Sequence, residues 1–142
     1  MRDLKYLFAY TVPISTLISF NSFGLGTYTA VFYAFVILPI LDVVLGEDST
    51  NLSEEKVGVK KINKVFDWML YINLPIVYSL MAYGFVKVYS NDYNLFEIVG
   101  MCLSAGILLA TNGINVAHEL CHRKKYIERA IGKALFLPCL YM

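Results

Sequence analysis

The stretch that decides the fold is residues 95–122, LFEIVGMCLSAGILLATNGINVAHELCH, which joins a long apolar run to a pair of histidines. Residues 98–117 carry no charged side chain. Because the hydrocarbon core of a bilayer is about 30 Å thick and takes about 20 apolar residues of helix to cross, this run predicts a transmembrane helix. The helix is expected to continue as far as His122, so that its polar end emerges from the membrane.

Three more stretches share this apolar character, and a further one begins near the end of the chain. They are residues 4–20, 26–45 and 65–86, followed by the run at 131–142. Apolar residues make up 58% of the chain and charged residues only 16%, against about 25% charged residues in soluble domains. We therefore predict an all-α fold, a single transmembrane domain over residues 1–142. It is a polytopic helical bundle with four complete spans and the start of a fifth.

The distribution of basic residues predicts the orientation of this bundle. Lys87 is the only basic residue in the two short loops at residues 21–25 and 87–94. The other basic residues all flank the opposite helix ends. Because positively charged loops remain in the cytoplasm, the N-terminus and the histidine motif are predicted to be cytoplasmic. The formal net charge of +1 does not suggest a nucleic-acid partner, and the predicted spans make membrane lipid the expected surroundings.

The strongest chemical signal is the motif His118-Glu119-Leu120-Cys121-His122, which contains both histidines of the chain. On a helix, residues four apart lie on the same side with about 5–6 Å between their Cβ atoms. Two imidazoles placed in this way can bind one metal ion at about 2.0–2.1 Å. His118 and His122 are therefore predicted metal ligands. Cys121 is a poorer candidate, because a helix displaces it sideways from the two histidines.

Polar residues at helical spacing precede the motif on the same predicted helix face: Ser104, Thr111 and Asn115. Because polar groups are costly in lipid, this face is expected to point into the bundle. Asn115 and Glu119 are predicted to orient the ligand imidazoles by hydrogen bonding. For Ser104 and Thr111, bonding to their own helix backbone is an equally good interpretation.

Three acidic residues lie near predicted helix ends. Asp42 lies at the cytoplasmic end of the second span, at the same depth as His118. It could reach either the membrane interface or the metal region, so its role is left open. Glu97 and Asp67 are expected to face water, and the position of Asp67 in the first turn of its helix also suits the helix dipole.

Two histidines do not complete a catalytic site, since a catalytic zinc has three protein ligands. The pattern H-E-x-x-H is typical of zinc proteases, in which the glutamate is the general base, and Asp42 would be the only intramembrane candidate for a third ligand. An oxygen-activating iron enzyme would need additional histidines. Because the sequence stops inside an apolar run, a partial chain is expected. A non-catalytic membrane protein with vestigial histidines is the third hypothesis.

Two sequence elements carry a resemblance to a known family: LPILD at residues 38–42 followed by GED at 46–48, and NVAHELCHRK at 115–124. Together they resemble the integral-membrane alkane hydroxylases (alkane 1-monooxygenases) of the membrane fatty-acid desaturase/hydroxylase superfamily. The second element is similar to the first histidine box of that family, although Cys121 stands where the family usually has glycine. The resemblance runs over nearly the whole chain but only over the N-terminal part of a full-length member.

This resemblance implies six spans in a bacterial inner membrane and a centre of two iron ions held by histidines from several boxes. It implies dioxygen-dependent terminal hydroxylation of an alkane or similar apolar chain, with electrons from a rubredoxin-type donor on the cytoplasmic side. His118 and His122 carry over as ligands, Asn115 and Glu119 as their neighbours, and Asp42 as a motif residue without an assigned role. Because only part of the ligand set is present, the chain alone is expected to be inactive. A desaturase-like enzyme of the same superfamily is the alternative.

Overall fold

The computed structural model describes residues 8–45 and 64–141, and all regular structure within them is helical. The all-α prediction is therefore confirmed for this part of the chain. The GED element at residues 46–48 lies outside the described residues. Five helices follow one another in this described part of the chain: α1 (Thr11–Phe20), α2 (Gly24–Leu45), α3 (Val65–Ser90), α4 (Leu95–Cys121) and α5 (Tyr126–Phe136).

Three of these helices, α2, α3 and α4, are long and apolar enough to cross a bilayer. They agree with three of the four predicted spans. The apolar helix that contains α1 is shorter and covers Phe8–Phe20. The first residues of that predicted span, 4–7, lie outside the described part of the chain. The count of four complete spans and the start of a fifth remains a prediction.

The last helix has different boundaries from the apolar run that predicted a fifth span at residues 131–142. α5 begins earlier, at Tyr126, and ends at Phe136. A short 3₁₀ turn, Leu137–Cys139, follows it, and Leu140 then takes a left-handed conformation with φ of 53°. Hydropathy misses the first turn of α5 because that turn contains a charged residue, Glu128, which is buried through its contact with Tyr71 of α3.

α5 packs antiparallel to the last part of α4. Gly132 lies against Cys121 near the end of α4, while the Cys139 thiol lies 3.7 Å from the carbonyl oxygen of Leu109, more than two turns earlier. A small apolar core joins these two helices to α3. Its buried members are Val77, Ala117, Leu120, Leu135 and Phe136.

Small and hydroxylated residues pack α1, α2 and α4 together. Ser104 Oγ donates to the carbonyl oxygen of Thr27 at 2.9 Å and lies 3.0 Å from Ser19 Oγ, and all three residues are fully buried. A Cβ on Gly100 would stand 2.3 Å from Thr27 Oγ1, so α2 approaches α4 this closely only because residue 100 is glycine. Close contacts of this kind are typical of helices in membranes. Ser104 therefore joins three helices instead of bonding to its own backbone.

Ser104→Ala should reduce the free energy of unfolding by roughly 0.6–1.7 kcal/mol, between the average and the largest value measured for interhelical hydrogen bonds in a membrane protein. The loss follows because Ser19 and the Thr27 carbonyl would lose a partner where no water replaces it. Denaturant titration of the full-length protein in detergent measures it. Ser79→Ala, at an exposed position on α3, is the control and should change stability by less than about 0.5 kcal/mol. Equal losses in the two variants would contradict the contribution of the Ser104 bond.

Glu97 does not face water as expected, since only 7% of it is exposed. It forms a capping box with Asn94 at the start of α4, in which Glu97 N–H donates to Asn94 Oδ1 at 3.0 Å and Asn94 N–H donates to Glu97 Oε2 at 2.9 Å. The N–H of Gly24 donates to the other carboxylate oxygen at 2.7 Å. The prediction was wrong because the first residue of α2 lies against the start of α4 and supplies this third donor.

Candidate metal centre

His118 lies in the last turn of α4 and His122 directly follows that helix, with their rings close together. The ring centroids of His118 and His122 are 5.8 Å apart and the ring planes are inclined by 37°. The turn between them is helical, because His122 N–H donates to the carbonyl oxygen of His118 at 3.3 Å. Both side chains are exposed. The i, i+4 spacing has therefore placed the rings side by side, as helical geometry requires.

This geometry fits two imidazoles that share one metal ion. A metal–nitrogen distance of about 2.0–2.1 Å, with the radius of each ring added, allows the two centroids to lie up to about 6.5 Å apart when the metal is collinear with the two nitrogens, and closer together at smaller angles. The observed 5.8 Å falls within that limit. Within residues 8–45 and 64–141, no third histidine, cysteine, aspartate or glutamate joins the pair. The described residues thus offer two ligands, which is part of a site and not a complete one.

Asp42 lies apart from the histidine pair. It is exposed near the end of α2 and lines a shallow apolar pocket together with Phe8, Leu38 and Leu45. The structure does not gather it with the two histidines, since the described residues contain no metal-binding group of three. Asp42 belongs to the LPILD element that resembles the family, and a role for it there remains a prediction.

A segment of π-helix changes which polar residues of α4 face the bundle. Residues Leu109–Asn115 are π-helical, and the wider turn rotates the following residues relative to a regular helix. Asn115, predicted to face inward, is exposed, while Asn112 is only 2% exposed. Asn112 Nδ2 donates to Asn73 Oδ1 at 2.8 Å. Sequence reasoning missed Asn112 because it assumed 3.6 residues per turn throughout; the two intramembrane asparagines were the available signal.

The predicted orienting groups form no hydrogen bond to the histidines among the described residues. Glu119 lies 3.6 Å from Arg123 Nε, and neither Glu119 nor Asn115 hydrogen-bonds to an imidazole. The group that packs against the pair is instead Phe136 of α5, whose ring meets His118 edge-on at a centroid distance of 5.8 Å. Sequence reasoning missed Phe136, because a contact between two separate helices leaves no local pattern.

Arg123, the residue that follows the motif, joins a network of polar side chains that we name the Arg123 cluster. Its other members are Asp67 and Tyr71 of α3 and Glu128 of α5. The Arg123 guanidinium pairs with Asp67 of α3 and lies 3.3 Å from Glu128 Oε1 of α5. Tyr71 OH donates to the same carboxylate oxygen at 2.6 Å. Only 3% of Glu128 is exposed. The expectation that Asp67 simply faces water was incomplete, because it gave no account of this cation from another helix.

The hydrogen bond from Tyr71 lowers the pKa of Glu128 below its ordinary value of 4.5, and Arg123 and Lys125 act in the same direction against the effect of burial. A carboxyl group whose pKa is lower in the folded state stabilises that state above the unfolded pKa. This contribution is lost as the pH falls through the folded pKa. The attachment of α5 to α3 should therefore be complete at neutral pH and weaken only below the usual glutamate range.

We expect the backbone amides of α5 to lose hydrogen-exchange protection when the full-length protein is taken from neutral pH to below pH 4.5, the ordinary glutamate value. Protection factors, which correct for the intrinsic pH dependence of exchange, are the quantity to measure. Glu128→Gln is the control: its α5 should be less protected at neutral pH and change less with acid. Protection that falls equally in the wild type and in Glu128→Gln would contradict a role for this carboxylate.

An apolar cavity of about 570 Å³ lies between α1, α3 and α4. The last part of α4, where the motif begins, forms one of its walls. Val116 and Glu119, on either side of His118 in the sequence, line it. Its lining side chains are mostly apolar, and the polar pair Asn73 and Asn112 in its wall bond to each other. The apolar residues in its wall include Phe8, Val12, Leu38, Phe66, Met69 and Leu70. The volume lies within the range of about 300–1,000 Å³ that is usual for small-ligand sites.

The chain is similar to several bacterial monooxygenases. It is 34% identical over 110 residues to alkane 1-monooxygenase of Pseudomonas putida, covering 76% of the chain and 26% of that protein. It is 31% identical over 134 residues to alkane 1-monooxygenase 2 of Alcanivorax borkumensis, covering 92% and 35%. With the hydroxylase component of xylene/toluene monooxygenase of Pseudomonas putida it is 27% identical over 141 residues, covering 95% and 35%. No protein-family profile and no solved structure matches it.

The chain spans only about a quarter to a third of the length of these relatives. The relatives are named as monooxygenases, so the zinc-protease hypothesis is not favoured. The resemblance indicated by the elements at residues 38–48 and 115–124 is confirmed by alignments that cover most of the chain. The chain belongs to the alkane 1-monooxygenase family.

Proposed function

We propose that the chain is part of a membrane-bound, non-haem di-iron monooxygenase that hydroxylates the terminal carbon of an alkane or a similar apolar chain. The observation that carries this proposal is the position of the histidine pair. The imidazoles of His118 and His122 are 5.8 Å apart, and Val116 and Glu119, their neighbours on the same stretch of chain, line an apolar cavity that the histidines themselves do not line. A metal held by the pair would lie on the same stretch of α4 as a space suited to a hydrocarbon.

His118 and His122 would hold iron, and bound iron would supply the activation of dioxygen. Imidazole suits iron, zinc and copper alike, so the choice of iron rests on the family and not on the two ligands. A di-iron centre needs more ligands than the described residues offer. We infer that the rest of the set belongs to the full-length protein and that these 142 residues are inactive alone.

The cavity would bind the substrate and exclude water from it. Its apolar side chains, such as Phe66 and Met69, match an alkane, which has no polar group to orient. Because the amides of Asn73 and Asn112 are paired with each other, they present little unsatisfied polarity to the substrate. The shape of the cavity would therefore set the position of the alkane relative to His118.

The electron donor would be a soluble protein of the rubredoxin type, arriving at the cytoplasmic end of α4. The basic residues that follow His122 support this orientation through the positive-inside rule; they are Arg123, Lys124, Lys125, Arg129 and Lys133. The N-terminus and the motif would then both lie on the cytoplasmic side of a bacterial inner membrane.

The test is a reconstitution of the full-length protein with ferrous iron, a rubredoxin, its reductase and ¹⁸O₂. With n-octane as the probe, the expected product is 1-octanol that carries ¹⁸O in its hydroxyl group. An alkene as the main product would support the desaturase alternative instead. A protein that binds only zinc and gives neither product would overturn the proposal.

A further inference from the structure

The residue after the second histidine is held by two other helices. Arg123 pairs with Asp67 of α3 and with Glu128 of α5, and it directly follows His122 in the chain. Glu128 is itself fixed by the hydroxyl of Tyr71 at 2.6 Å. The end of the motif is therefore attached at one point to α3 and α5 together.

α5 contacts the motif at two further points. Gly132 lies so close to α4 that a Cβ there would stand 2.9 Å from the carbonyl oxygen of Ala117 and 2.8 Å from the thiol of Cys121. Phe136 places its ring edge-on to His118 at 5.8 Å. Gly132 and Phe136, one turn apart on α5, thus both lie against the stretch of α4 that carries the motif.

These contacts are of the kind that position metal ligands in proteins. Within residues 8–45 and 64–141, neither Asn115 nor Glu119 hydrogen-bonds to an imidazole, so the position of the rings depends on their helix and on the contact of His118 with Phe136. That position depends on α5, and the buried charge of Glu128 holds the start of α5 against α3. Metal sites need such support, because loss of the groups that orient ligands typically costs about 10–100-fold in metal affinity or activity.

We propose that Asp67, Tyr71, Arg123 and Glu128 are positioning residues that, through α5 and Phe136, hold His118 and His122 in the geometry for binding metal. This inference rests on the proposed function, since it assumes that the two histidines are ligands. The Arg123 cluster touches neither metal nor substrate. It acts by fixing the turn after His122 and the helix that packs behind the motif.

The experiment compares two buried carboxylates on the full-length protein. Glu128→Gln keeps the size of the side chain and its acceptor for Tyr71 but removes the charge that faces Arg123. Glu97→Gln is the matched control, since Glu97 is also a buried, hydrogen-bonded carboxylate but lies at the opposite end of α4. Ferrous iron affinity is measured by titration of the folded, metal-free protein, and thermal stability is measured in parallel.

Glu128→Gln should weaken iron binding by about 10-fold or more. Glu97→Gln should change the iron affinity less than about 2-fold, even if the two variants lower the melting temperature equally. A second readout needs no metal. The thiol of the half-buried Cys121 lies against Gly132, so its alkylation by a maleimide, followed by mass spectrometry of its peptide, should be several-fold faster in Glu128→Gln than in Glu97→Gln.

Equal iron affinities and equal Cys121 alkylation rates in the two variants would overturn the positioning role. So would a large loss of affinity in both, because it would show that any destabilised bundle binds iron poorly. Failure of the proposed function gives a different result: iron would then bind equally well to the wild type and to a variant that lacks His118.

Discussion

His118→Ala in the full-length protein is expected to abolish iron binding at this site and to lower the rate of hydroxylation by more than about 100-fold. The reason is that loss of groups that merely orient a ligand already costs about 10–100-fold, whereas this change removes the ligand. His122→Ala should have nearly the same effect, and the double variant should be little worse than either. Residues that act as one unit are non-additive in this way.

The measurements are the iron content of purified protein and the rate of 1-octanol formation from n-octane. Because both histidines are exposed, the alanine variants should insert and fold normally, with a melting temperature close to that of the metal-free wild type. Cys121→Ser is the control within the same motif and should keep its iron, since the thiol faces Gly132 and not the imidazoles. Full iron content in His118→Ala would rule out the ligand role, and its loss in Cys121→Ser would make the thiol a ligand.

The features predicted well from the sequence are those that depend on one helix at a time. The apolar runs at 26–45, 65–86 and 95–117 follow from the thickness of a bilayer, and the structure has long apolar helices there. The pairing of His118 with His122 follows from the helical repeat alone. In both cases the physical cause is local, so the linear pattern contains it.

The features that were missed depend on contacts between helices or on an irregular turn. The hydrogen bond from Gly24 N–H to the Glu97 carboxylate joins residues far apart in the sequence. So does the one from Tyr71 OH to the Glu128 carboxylate. The inward position of Asn112 depends on a π-helical turn, which hydropathy does not reveal. Each of these polar residues was expected to face water or was passed over, because a sequence shows polarity without showing the partner that makes its burial possible.

Gly132→Ala is expected to be among the most damaging single changes outside the histidines, although it adds only a methyl group. The new Cβ would meet the carbonyl oxygen of Ala117 at 2.9 Å and the backbone nitrogen of Cys121 at 3.2 Å. Backbone atoms of a helix cannot turn aside as a flexible side chain can, so α5 must move away from α4. Overpacking of this kind costs about 1–3 kcal/mol, and the shift would also move Phe136 away from His118.

Gly106→Ala is the matched control, because it makes the same chemical change in α4 at a glycine with no atom within 4 Å of the added Cβ. It should leave stability unchanged or raise it by up to about 1 kcal/mol, since alanine favours helix over glycine. Denaturant titration and iron affinity, both measured on the full-length protein, separate the two variants. If Gly132→Ala is as stable as Gly106→Ala and binds iron equally well, α5 does not pack tightly behind the motif. The close approach of the two helices would then have no part in holding the histidines.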